Sequence, residues 1–326
     1  MIKENGCCDF KGIKESLNYR LEDEKKRKRH MISITEYLEH IYEDFKRQID
    51  TGEWLCDIKK LSFEAGGLPD YSNIQIQRLY LLRYAFAYGF EYTQMYKEVL
   101  QDMDDPTEIR VTSIGCGNMI DYWALVQAVE CKWWLDCKIK YVGIDEIEWA
   151  YKFEKRPQDV MRYDSRNAKT CFSETGQLAS DVYFFPKSIS EFTGDEMRDI
   201  AEAFRTKPIV KNTIYLCISL RKNEHSHERD IQRTKQIYDA LLENGFKANQ
   251  NYDRYAYYPQ NPAIFTCDNN YRYPNDATEY LLHLNEKCIN YVNEGENCDD
   301  DCIYLNRKPT LRTGNINYQV IKFERM

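Results

Sequence analysis

Residues 109–121 read I-R-V-T-S-I-G-C-G-N-M-I-D. The first six make a short β-type run, Gly115-Cys116-Gly117 turns the chain, and 119–129 carries apolar residues at helical spacing. A strand, a glycine turn and a helix form the first unit of a nucleotide-binding α/β sheet. Glycines serve there because a ligand must touch the backbone where a Cβ would intrude. The helix that follows aims its free N–H groups and its positive dipole end at that ligand.

Outward from this stretch the β-α pattern repeats. Residues 141–145 (Y-V-G-I-D) are a short apolar strand ending in an acid, with a helix expected over 146–154. Residues 181–186 and 213–220 read as buried strands, with helices over 191–204 and 229–244, the latter stopped by Gly245. A strand between 160 and 171 has no definite position. Upstream, apolar residues from Ile32 to Phe45 recur at helical spacing behind Ser33 or Thr35 as N-cap. After a break at Gly66-Gly67-Leu68-Pro69-Asp70, a long helix is expected over 72–103. Its middle, residues 82–92, is aromatic on more than one face, as in a helix buried between layers. Downstream, 252–265 is aromatic and broken by proline, 277–292 is helical, and 318–323 is a last strand. The prediction is a three-layer, Rossmann-like α/β fold with a mostly parallel, doubly wound sheet. Its parts are a polar N-terminal segment (1–30), a helical cap (31–106), a cofactor-binding domain (107–266), and a C-terminal cysteine-bearing insertion with the final strand (267–326).

The bulk properties narrow the function. The chain has 326 residues, 43% apolar and 30% charged, enough to build a core. A net charge of −8 argues against a dedicated nucleic-acid binder. The basic run at 22–30 reads as a solvated helix end, or as a contact for phosphates or a protein. The N-terminus lacks the apolar core of a signal peptide, and no run approaches the length of a membrane span. Twelve cysteines are too sparse for a disulfide scaffold, so a reducing cytoplasm and mostly free thiols are expected.

V-T-S-I-G-C-G-N-M-I-D followed by Y-V-G-I-D resembles the first two motifs of class I S-adenosylmethionine-dependent methyltransferases. The resemblance covers roughly residues 109–220, and the tyrosine-rich helix upstream is similar to the lid helices of such enzymes. It implies that Gly115, Cys116 and Gly117 pass under the methionine part of S-adenosylmethionine and that Asp145 holds its ribose. Asp181 and Phe184-Phe185-Pro186-Lys187 fall where the family's fourth motif ends its strand beside the methyl group, which adds Phe185 and Pro186 to the cofactor set. Three departures stand out. Ser113 replaces a frequent acid, Met119 replaces the third glycine, and the N-P-P-Y or D-P-P-Y signature of amino-methylating nucleic-acid enzymes is absent. A dinucleotide-binding G-x-G-x-x-G is disfavoured, because Ile120 takes its third glycine position.

Other residues carry two readings each. Asp121 complements the helix dipole or binds the cofactor's ammonium. Arg83, Tyr84 and Tyr88 cover the cofactor, or pack within the helix with the arginine at the surface. Lys187 is a further candidate for the substrate or lid. His225 and His227 line the acceptor site or bind a metal, or lie in a polar loop before a helix. Cys267, Cys288, Cys298 and Cys302 hold zinc or an iron–sulfur cluster, or remain unliganded thiols. Arg307, Lys308 and Arg312 form a small basic patch nearby.

The expected function is methyl transfer from S-adenosylmethionine to a small-molecule or protein acceptor. One alternative is a non-catalytic methyltransferase-like binding module, consistent with Met119 and with no evident general base. Another is an RNA-modifying methyltransferase docking through the basic run and the C-terminal cysteines.

Overall fold

The computed structural model describes residues 33–50, 55–58, 69–220, 224–250, 252, 271–288, 305–311 and 318–326. In chain order the elements are helices α1 (Ile34–Ile49), α2 (Leu55–Ile58) and α3 (Ile74–Tyr80), a π-helical turn (Leu81–Ala85), and helix α4 (Phe86–Gln101). Strand β1 (Glu108–Ile114), helix α5 (Ile120–Cys131), and strands β2 (Lys138–Ile144) and β3 (Val160–Asp164) follow. Next come α6 (Ala168–Glu174), β4 (Val182–Pro186), α7 (Gly194–Thr206), β5 (Thr213–Ser219), α8 (Glu224–Glu243) and β6 (Phe246–Ala248). The chain ends with α9 (Ala277–Leu282), a 3-10 turn (Leu284–Lys287) and β7 (Tyr318–Arg325).

The seven strands form one sheet in the order β3-β2-β1-β4-β5-β7-β6. β1 to β5 pair in parallel, and β7 runs antiparallel between β5 and β6. Alternation along the strands fills a core on each face. Val182 and Phe184 of β4 pack with α1, α3, α4 and α5, whereas Tyr183 and Phe185 pack with α6, α7 and α8. The three-layer, mostly parallel α/β fold expected from 109–121 is the one observed.

Local chemistry explains the element ends. Ser33 starts α1 with a capping box to Glu36, and Thr193 starts α7 with another to Glu196. The second box places the helix start at Gly194, three residues later than expected. Residues 146–154, expected to be helical, are irregular. There Asp145 takes the Ile147 N–H, and Trp149 and Phe153 are drawn into the core beside the cap helices. The helix expected over 277–292 ends at Leu282 and gives way to the 3-10 turn; residues 289–292 lie outside the description. Met119 caps α5 in the left-handed region (φ 62°, ψ 34°) and is buried. The backbone thus keeps a conformation suited to the missing third glycine, at a cost of about 1–2 kcal/mol for a residue with a Cβ. No helix among the described residues is long and apolar enough to cross a membrane.

Candidate functional site

The strand order reverses between β1 and β4, and open parallel sheets offer a ligand crevice at the carboxyl ends beside such a switch point. The glycine turn leaves β1 at this edge, and Pro186 ends the neighbouring β4. A partly open cleft lies over them. Its floor is Gly115, Cys116, Gly117 and Asn118, with Pro186, Ser188 and Glu191 on one side and Asp145, Ile147 and Trp149 on the other. Tyr80, Leu81, Ala85, Tyr88 and Tyr92 from the α3–α4 helix form the roof, with Tyr71 before it.

Both glycines have positive φ, +70° at Gly115 and +56° at Gly117. A Cβ on Gly115 would lie 2.3 Å from Ser188 Cβ. The Gly115 and Cys116 N–H groups donate to Ile144 O at 2.8 and 3.1 Å, tying the turn to the end of β2. Asp145, the residue after β2, accepts from Gly117 N at 2.8 Å through one oxygen and from Ile147 N at 2.9 Å through the other. Burial pushes its pKa up to about 6, against the pull of those two N–H groups. Each oxygen has accepted one hydrogen bond and keeps further acceptor capacity.

Asp121 lies away from the cleft lining, fully buried in the first turn of α5, where the Tyr141 hydroxyl donates to its two oxygens at 2.8 and 2.9 Å. Burial raises its pKa to about 7, opposed by the Ser113 and Tyr141 hydroxyls. A folded-state pKa above the ordinary 3.8 of an aspartate means that the native protein holds a proton the unfolded chain has released. The stability from that proton is complete below about pH 3.8 and is lost as pH rises through 7. Asp121→Asn is therefore expected to flatten the pH dependence of urea unfolding, removing a decline on the order of 2–3 kcal/mol between pH 5 and 8. An unchanged slope in the variant contradicts this assignment.

The fourth-motif segment divides. Asp181 stands before β4, at its amino end, and is held by Arg110 N at 2.8 Å and Lys211 Nζ at 2.6 Å. It lies at the edge opposite the cleft, because the β4 strand runs between them. Phe185 alternates to the far core, where its ring meets Phe192, and only Pro186 lines the cleft. Lys187 has φ 59° and is buried; its Nζ donates to Glu91 Oε1 at 2.7 Å and to Leu220 O at 2.6 Å. The Ser219 hydroxyl bonds the same Glu91 oxygen. This cluster fastens α4 to the carboxyl ends of β4 and β5 beneath Tyr88 and Tyr92. Glu91→Ala removes the carboxylate that faces a buried ammonium and is expected to cost about 3–5 kcal/mol in chemical denaturation; a loss below about 1 kcal/mol contradicts the pairing.

Of the lid candidates, Tyr88 lines the cleft and Tyr84 stacks on it, with ring centroids 5.6 Å apart. Arg83 is neither over the cleft nor at the surface. It is buried, with Nη2 donating to Leu305 O at 2.8 Å. His225 and His227 fall within α8 rather than a loop, their side chains outside the description. Cys267, Cys298, Cys302, Arg312 and the 22–30 run also lie outside the described residues. Cys288 is a buried free thiol, as are Cys116, Cys137 and Cys217, while Cys131 is disulfide-bonded. Among the described residues no group of His, Cys, Asp and Glu could hold a metal ion. Tyr71, Trp149, Ser188 and Glu191 were not singled out by sequence, and all line the cleft.

No protein-family model and no curated protein matches the sequence. Solved structures do. The chain is similar to MNMC2 from Aquifex aeolicus (12% identity, TM-score 0.32, covering 48% of this chain and 50% of that one). It is also similar to geranyl diphosphate C-methyltransferase from Streptomyces coelicolor, in complex with Mg2+, geranyl diphosphate and S-adenosyl-L-homocysteine (10%, 0.31, 71% and 79%). A third is loganic acid methyltransferase with S-adenosylhomocysteine (11%, 0.32, 73% and 94%). The chain spans about half the length of MNMC2. The fold itself is a Rossmann-like, mostly parallel α/β sheet with a glycine turn beside a strand-final acid.

Proposed function

We propose that the cleft binds S-adenosylmethionine and that the protein transfers its methyl group to a small-molecule or protein acceptor. The observation that carries this reading is the joint placement of Gly115, Gly117 and Asp145. The two glycines hold left-handed conformations at the switch-point edge, and the acid one strand over is locked to the same turn by Gly117 N–H. The residues fit the cofactor. Gly115 to Gly117 would pass beneath its methionine part, Asp145 would accept from its ribose hydroxyls, and the carboxylates of Asp145 and Glu191 suit a cationic ligand. When bound, S-adenosylmethionine supplies an electrophilic methyl on a sulfonium.

The chain's own share is alignment and exclusion of water. The Tyr80, Tyr88 and Tyr92 rings close the roof, and Pro186 offers a rigid wall without an N–H. Trp149 stands 3.6 Å from where a Gly117 Cβ would be, so the turn is covered from above. Calorimetric titration with S-adenosylmethionine and with NAD tests the reading. One-to-one binding of the former alone is expected; no heat with S-adenosylmethionine while the protein is folded removes it.

A further inference from the structure

The roof helix changes register above the cleft, at the π turn Leu81–Ala85. A π turn slips the hydrogen-bond ladder by one residue, and carbonyls at the slip take donors from outside the helix. Here the donors come from the C-terminal part of the chain. The Tyr273 hydroxyl donates to Leu82 O at 2.7 Å, and Thr310 N–H donates to Arg83 O at 2.7 Å. Arg83 answers with its side chain on Leu305 O at 2.8 Å. The donor segment has its own footing: the Tyr271 hydroxyl bonds Gln127 Oε1 on α5 at 2.5 Å, and Arg272 N bonds Thr35 Oγ1 on α1 at 2.9 Å.

The register matters for the roof. Tyr80 and Tyr88 are eight positions apart, so an unbroken α-helix would set them about 80° apart around its axis. One residue absorbed by the π turn brings them to within about 20°, and moves Tyr92 with Tyr88. Both tyrosines line the cleft, as do Leu81 and Ala85 within the turn.

We infer that Tyr273, Thr310 and Arg83 are positioning residues for the cleft, holding the π register that turns Tyr80, Tyr88 and Tyr92 onto one face. Their effect on ligand affinity rests on the proposed S-adenosylmethionine site, whereas their effect on the helix does not. The test compares the full-length protein with Tyr273→Phe and with Tyr280→Phe, a control whose lost hydroxyl bonds Asp50 at 3.2 Å, away from the turn. Affinity for S-adenosylhomocysteine is read by calorimetry, and amide hydrogen exchange across residues 81–92 is read without ligand. Tyr273→Phe is expected to bind about fivefold more weakly, from one lost hydrogen bond, and to exchange faster across the turn. Tyr280→Phe is expected to match the wild type in both. Unchanged affinity and exchange in Tyr273→Phe, or equal losses in the control, overturn the inference. A wild type that does not bind the ligand removes the cofactor reading instead, and the exchange comparison then decides the clamp by itself.

Discussion

Gly115→Ala is expected to abolish binding of S-adenosylhomocysteine and to destabilise the fold by about 2–5 kcal/mol. Two costs add. The backbone there has φ +70°, which a residue with a Cβ adopts only under strain, and the new methyl would sit 2.3 Å from Ser188 Cβ. Ser188 cannot rotate its own Cβ away, and its hydroxyl is already committed to Ile114 O. The turn must therefore separate from the 186–191 loop, and those two segments are the floor and one side of the cleft. Gly176→Ala is the control, because a Cβ there meets nothing within 4 Å. Thermal melts and titrations of both variants check the result; a Gly115→Ala protein that binds and melts like the wild type would contradict the site.

Asp145→Ala is expected to weaken S-adenosylhomocysteine binding about 100-fold or more, through lost charge-assisted bonds to the ligand and a glycine turn no longer held. The variant frees Gly117 N–H and Ile147 N–H at once. Asp145→Asn preserves shape but brings an amide donor to one of those two N–H groups, so it too should bind poorly. A pH series adds an independent reading. With its pKa near 6, the side chain is the stronger acceptor above that value, so wild-type affinity should fall as pH drops from 7 to 5. Affinity flat across that range, together with an Asp145→Ala protein that binds normally, removes Asp145 from the ligand.

The parts of the site that follow from local pattern were legible in the sequence. Gly115, Gly117 and Asp145 are marked by where a strand must turn and where the next must end, and Pro186 by the resemblance to the family's fourth motif. Residues brought in by tertiary packing were not. Trp149 lies in a segment whose composition reads as helix, but Asp145 and the cap helices draw it into an irregular path over the turn. Glu91 and Lys187 are 96 positions apart, and nothing in either neighbourhood announces a buried pair. Phe185 faces the core away from the cleft, since successive strand residues face opposite cores, and the end of the fourth-motif resemblance does not register that alternation. The π turn left a trace, the aromatic residues on several faces of 82–92, which read as burial between layers but also reflect a helix changing phase.

In the proposed function the Gly115–Gly117 turn and Asp145 together cradle S-adenosylmethionine. Determining the structure of the full chain with S-adenosylhomocysteine tests it most directly. The ribose hydroxyls are predicted on Asp145, the methionine part against Gly115 to Gly117, and the sulfur beneath the Tyr80, Tyr88 and Tyr92 roof. A nucleoside bound elsewhere, or bound in the cleft with its ribose away from Asp145, would contradict that placement.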